Sequence, residues 1–208
     1  MKNIIAKSFT TILIAMVTFL DAQTINRYGT TTANFLEIGI GSRATSMGDA
    51  YVAVANDVSS IYWNPAGLSH VTNSSALFSI QPWLVDIDMM FAGGAFVVPS
   101  VGVIGLGITH LDYGEMDVTN LEYQDGTGER FGASDVAATF TFSRKIVSWF
   151  SFGSSMKYIS SKIWHSSASA FAVDLGVLVN TNFFSFTGKD KDGMNIGCLL
   201  YTSDAADD

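Results

Sequence analysis

The chain has 208 residues, 48% of them hydrophobic and only 14% charged, with a formal net charge of −8. A soluble domain usually carries about 25% charged residues, and a disordered chain needs high charge and few apolar residues, so disorder is excluded and an ordinary cytosolic enzyme disfavoured. No basic patch offers a nucleic-acid surface, and the one cysteine, Cys198, excludes an internal disulfide.

Residues 1–22 read as a secretory signal peptide. Lys2 and Lys7 make a positive start, Phe9–Leu20 is an apolar core, and Ala22 precedes the expected cut. The expectation is export across an inner membrane. Residues 23–72 follow as a separate segment without strand alternation. Within it, "NFLEIGIGSRATSMGDAYVAVANDVSSIYWNPAGL" (Asn34–Leu68) is punctuated by Gly39, Gly41 and Gly48. Met47, Tyr51 and Val54 fall at helical spacing, which predicts a short amphipathic stretch. Asp57 is placed to cap a second turn through Ser59–Tyr62, and Asn64-Pro65 ends it, because the residue before proline avoids helical angles. Arg43 either pairs with Asp49 or Asp57 in a buried setting or lies on a solvated surface.

From residue 73 to 197 the chain alternates in period two, the mark of strands with one apolar face. Six strands are predicted: Ala76–Trp83, Asp88–Val98, Val101–Tyr113, Asp135–Lys145, Phe150–Ser161 and Ala170–Thr181, with Met194–Gly197 opening a seventh. Thr139, Thr141, Ser143, Ser151, Ser155 and Asp174 fall opposite the apolar side chains of their strands. Globular strands run about 5–6 residues, whereas a membrane-spanning strand needs about 9–11. Aromatic residues near strand ends (Trp83, Tyr113, Trp149, Phe150, Tyr158) suit an interfacial girdle. Short links at Pro99–Ser100 and Ile146–Trp149 alternate with longer polar ones at Gly114–Ser134 and Lys162–Ser169. That is the loop asymmetry of bacterial outer-membrane barrels, with the long links outside. The competing expectation is an exported β-sandwich, whose strands would also alternate. Fewer than about eight strands leave an open edge, so the visible wall is a partial barrel. The last eleven residues, "CLLYTSDAADD" (Cys198–Asp208), read as the translation of a transposase sequencing adapter, which places the authentic sequence's end near Gly197.

Asn34–Leu68 resembles the N-terminal signature of the PorV/PorQ family of outer-membrane proteins, relatives of the FadL-type barrels. The match runs through Gly39, Gly41, Arg43, Met47, Gly48, Tyr51, Asp57, Tyr62, Trp63, Asn64, Pro65 and Gly67, with Ala44, Ala50, Ile61, Ala66 and Leu68 beside them. A second similar block comprises "GTGERFGASD" (Gly126–Asp135) and "KYISSKIWHSSASAFAVDLG" (Lys157–Gly176), so the resemblance extends from Asn34 to about Thr181. It implies a FadL-like barrel of about fourteen strands, within the known range, with the Asn-Pro-Ala region as a plug inside it. It also implies outer-membrane lipid as surroundings and a part in type IX secretion, with secreted cargo proteins or other secretion components as partners. The alternative it carries is a FadL-like channel for hydrophobic small molecules.

Other motifs are weak. "GIGSRA" (Gly39–Ala44) matches a dinucleotide fingerprint but lacks the βαβ unit that motif requires. "DKDGMN" (Asp190–Asn195) lacks the register of an EF-hand and reads as a solvated turn. His110 and His165 are isolated from each other and from the cysteine, and no nucleophile elbow surrounds Ser166, Ser167 or Ser169. The expectation is no catalytic residue, no metal and no cofactor.

Overall fold

Alternation without long apolar runs calls for a sheet, and a sheet dominates. The computed structural model describes residues 33–84, 87–119, 121–124, 126–181 and 194–205, with side chains given as far as residue 200. All of them belong to one unit of the chain, Thr32–Asp208. The expected signal peptide and Asp190–Gly193 lie outside the described residues.

Four short helical turns come first: α1 (Asn34–Glu37), α2 (Ser42–Thr45), α3 (Ser60–Trp63) and α4 (Pro65–His70). Seven strands follow: β1 (Ser75–Pro82), β2 (Asp88–Val98), β3 (Gly102–Asp117), β4 (Arg130–Val147), β5 (Phe150–Ile163), β6 (Ser166–Thr181) and β7 (Met194–Ala205). They form one curled antiparallel sheet in chain order, like half of a barrel wall. Every connection joins sequence neighbours, as an up-and-down wall requires. Cys198–Ala205, expected to lie beyond the fold, continues β7 and pairs with Ala170–Val177 of β6. Ladder bonds come from the backbone, so an edge position accepts almost any non-proline sequence.

Two links differ from expectation. Beyond a bulge between Asp112 and Glu115, β3 and β4 stay paired through Glu115↔Gly132, Met116↔Phe131 and Asp117↔Arg130. The link expected over Gly114–Ser134 therefore shrinks to 118–129. Arg130 bridges Glu115 and Asp117 at 3.0 Å each, which supports this polar extension where alternation fails. The link expected over Lys162–Ser169 is a tight turn at Trp164–His165, closed by the pair Ile163↔Ser166. Trp164 takes a left-handed φ of 51° to make it. The β5–β6 connection is thus as short as Trp149-flanked β4–β5, and link length no longer separates the two ends of the sheet.

The sheet's two faces are chemically inverted. One face carries the helical turns and is here called the plug face; the other is open. On β4, Thr139, Thr141 and Ser143 are buried on the plug face while Phe140 is 46% exposed on the open one. On β5, Ser151, Ser155 and Lys157 are buried while Met156 and Tyr158 are exposed. On β6, Asp174 is 2% exposed and Phe171 61%. All six polar positions expected on one face are therefore buried. On β2 the pattern reverses: Met89, Phe91 and Ala95 are buried on the plug face, against Phe35, Ile61 and Leu68. A conventional core thus lies between the turns and β2–β3, and a polar seam lies under β4–β6. Soluble monomers rarely leave an apolar patch of more than a few hundred Å² in water, yet the open face presents large apolar side chains on every strand from β1 to β6.

Candidate functional site

The site is the seating of the Asn34–Leu68 segment on the sheet. Its local structure is broken by design of the sequence. Gly41 and Gly48 take φ of 82° and 62°, and Asp49 takes 63°. Gly41 precedes α2, and Gly48 and Asp49 follow it closely, so the helical spacing of Met47, Tyr51 and Val54 becomes a run of hydrogen-bonded turns. Met47 ends up exposed rather than on a buried stripe. Asp57 Oδ1 accepts from the Ser59 N–H at 2.9 Å just ahead of α3, whose N-cap residue is Ser59 itself. Asn64 is extended at φ −162°, which ends α3 and admits Pro65 at the start of α4.

Asn64 is the hinge of the assembly and is fully buried. Its Oδ1 accepts from the Ala66 N–H (3.1 Å), the local bond that an asparagine before a turn favours. Its Nδ2 donates to the carbonyl of Val52 (2.8 Å) and, across the seam, to that of Val177 on β6 (3.3 Å). Ala66 is fixed from the other side, since its carbonyl accepts from the Ser143 hydroxyl of β4 at 3.1 Å. One amide and one hydroxyl therefore tie a two-residue turn to two strands.

The seam is close enough to demand glycine in the wall. A Cβ on Gly153 of β5 would strike the backbone of Pro65 and Ala66. One on Gly176 of β6 would strike Asn64 Oδ1 and the Pro65 ring. Gly153 and Gly176 are direct cross-strand partners, so together they form one notch that receives Pro65. Gly67, in the segment itself, approaches the Ala55 carbonyl in the same way, and Gly39 lies against the Asp49 carboxylate.

The aromatic residues lock the other end. Tyr62 places its hydroxyl 2.7 Å from the carbonyls of Leu36 and of Ile38 and its ring edge-on to Phe91 of β2. Trp63 Nε1 donates to the Ile40 carbonyl at 3.1 Å, and its ring packs edge-on against Tyr51. Burial, with the charges of Asp49 and Glu37, pushes the Tyr62 phenol well above its ordinary value. Burial and the neighbouring Asp57 push Tyr51 upward as well. The neutral phenols contribute fully below the ordinary tyrosine value of 10.0, and the contribution declines as pH rises above it, where only the unfolded chain ionises. Chemical denaturation should therefore show stability falling above about pH 10, with Tyr62→Phe flattening that slope.

Arg43 combines both readings of it. It is 58% exposed, yet it donates to Asn56 Oδ1 (3.0 Å), lies 3.6 Å from Asp57 and stands over the Tyr51 ring at 5.4 Å. Asp49 is not its partner. An exposed pair of this kind contributes little.

Sequence reasoning missed one feature. Lys157 of β5 and Asp174 of β6 form an ion pair at 2.7 Å, buried on the plug face beside the hydrogen-bonded Thr141–Ser155 pair. Alternation puts both residues opposite the apolar side of their strands, but their meeting depends on register: Ser155, not Lys157, is the direct partner of Asp174. Removing one member of a buried pair costs about 3–5 kcal/mol, whereas an apolar double replacement is often neutral. Lys157→Met should lower the unfolding midpoint sharply, and Lys157→Met with Asp174→Leu should recover most of it.

Among the described residues no cluster of His, Cys, Asp or Glu could hold a metal, and no helix is long and apolar enough to cross a membrane. His165 stacks on Trp164 at 4.8 Å. Comparison with known proteins returns no family model, no curated protein and no solved structure that matches the chain.

Proposed function

We propose that this chain forms wall and plug of an outer-membrane β-barrel of the PorV/PorQ type, within the FadL-like superfamily, and serves in delivery of secreted proteins. The observation that carries the membrane part is the inverted sheet: Thr141 and Asp174 are buried while Phe140 and Phe171 are exposed. In lipid that arrangement is favourable, since apolar side chains meet acyl chains and strands satisfy their backbone laterally. The plug part is supported by the notch at Gly153 and Gly176, which seats the Asn-Pro-Ala turn of the family-like motif. Delivery rather than permeation is supported by the seam itself. Its central polar groups are spent on one another, as in Lys157–Asp174 and Thr141–Ser155, beneath β4–β6. The partners of this reading are outer-membrane lipid and secreted cargo.

A FadL-like channel is the second reading, favoured by the apolar plug face of β2 with Phe35, Met89 and Phe91. Displacement of α1 would open a greasy path there.

Fractionation of producing cells tests the first reading. The protein should sediment with outer membranes, a tag near Gly126 should label on intact cells, and surface cargo should fall when the gene is deleted. Recovery in the soluble periplasm contradicts the barrel. Normal cargo with impaired uptake of long-chain fatty acids favours the channel.

A further inference from the structure

We infer that the open face carries a binding site for a phosphate-bearing lipid, with the headgroup at the Trp164 end of the sheet and an acyl chain in a trough beside it. The inference rests on the membrane reading above and names a ligand that reading does not require.

Two concavities on the open face share the same strands. The first, of about 870 Å³, is an apolar trough with Leu106, Ile108, Ala138, Phe140, Tyr158 and Phe171 among its walls. Register explains its shape. Phe78, Ala92, Ile108, Ala138, Tyr158 and Phe171 form one continuous cross-strand row. The small Ala92 and Ala138 in the middle leave a depression between the aromatic ends. The second concavity, of about 430 Å³, is polar and is lined by His110, Asp112, Arg130, Ser134, Lys162 and Trp164. Along β3 the next open-face residue after Ile108 is His110; along β4 Ser134 lies two such positions beyond Ala138; along β5 Lys162 lies two beyond Tyr158. At about 3.3 Å per residue the polar pocket begins about 7 Å past the trough, on the same columns. A headgroup and its chain are spaced in that way.

The charges of the pocket are unequal in availability. Arg130 is held between Glu115 and Asp117, so it serves as a wall. Asp112, the acidic member, accepts the Gly114 N–H at 3.0 Å. Lys162 makes no ion pair among the described residues. Its ammonium, with the Ser134 hydroxyl and one ring N–H of His110 lining the same pocket, is a donor set for a phosphate, which lysine binds as a point charge. Trp164 at the rim is the residue type that favours a lipid–water boundary.

The test reconstitutes the protein in nanodiscs of dioleoylphosphatidylcholine with a minor share of dioleoylphosphatidic acid and reads retained lipid by native mass spectrometry. The protein should retain phosphatidic acid selectively. Lys162→Glu should cut that retention about tenfold or more, the loss expected for one charge-assisted contact turned repulsive. Ala138→Trp, which fills the trough and leaves the pocket intact, should cut it as well. Inorganic phosphate added in excess should not displace the lipid. Equal retention of both lipids overturns the inference, as does loss on phosphate addition with Ala138→Trp unaffected, which marks a free-anion site. Flotation with vesicles is scored on the same samples: a protein that floats but shows no selectivity defeats this inference alone, and one that does not float defeats the membrane reading with it.

Discussion

Replacing Gly153 with leucine should unseat the plug. The new Cβ meets Pro65 and Ala66 through their backbone atoms, not through a flexible side chain, so neither partner can turn aside. β5 is paired on both sides, to β4 and to β6, and cannot retreat. Overpacking typically costs about 1–3 kcal/mol, and a backbone collision lies at the upper end of that range or beyond it. The seated state is then abandoned before the sheet is. Limited proteolysis of the membrane-reconstituted protein should show new cleavage within Asn34–Leu68 while the strands stay resistant. Gly132→Ala is the control: a Cβ there meets only the Gly114 carbonyl at 3.6 Å, an ordinary contact. Equal protection of the Gly153→Leu plug would mean that Pro65 does not sit in the notch.

Asn64→Leu should be the most destabilising single change in the plug. The side chain satisfies three backbone groups: the Ala66 N–H and the carbonyls of Val52 and Val177. Leucine has a similar volume and serves none of them. Each buried backbone group left without a partner costs about 1–3 kcal/mol, so a loss of about 3 kcal/mol or more is expected from a denaturation midpoint. Pro65→Ala should cost less, because it relaxes the backbone of the turn without orphaning a polar atom. A similar loss for both would show that the Asn64 amide is not what holds the turn.

The sequence carried the sheet clearly and its seating dimly. Alternation located all six fully predicted strands because each has a one-sided apolar face, as in Phe140 against Thr141. It missed the outer ends of β3 to β6, where Glu115, Arg130 and Ser166–Ser169 have no apolar side to alternate. Backbone ladder bonds extend there regardless of side chain. The polar side was expected to turn inward, which holds on β4–β6 but not on β2. The apolar positions Met89 and Phe91 point to the plug, while Phe140 and Phe171 point away from it, and period two alone gives both the same score. In the plug, Asp57 and Asn64 each accept from an N–H two residues ahead, which local spacing reveals. The bond from Asn64 to Val177 and the notch at Gly153 join residues far apart in the chain, and only the register of β5 on β6 brings them together.

The central proposal is that β4–β6 are turned inside out, with polar side chains on the plug and apolar ones in lipid. Spin labels placed one at a time at positions 137 to 143 of β4, in a Cys198→Ser background and in reconstituted bilayers, measure this directly through collision with dissolved oxygen. The account predicts high oxygen accessibility at Ala138, Phe140 and Phe142 and low accessibility at Ala137, Thr139, Thr141 and Ser143, with period two. The opposite phase, or labels at Phe140 that meet only water-soluble relaxants, would contradict it.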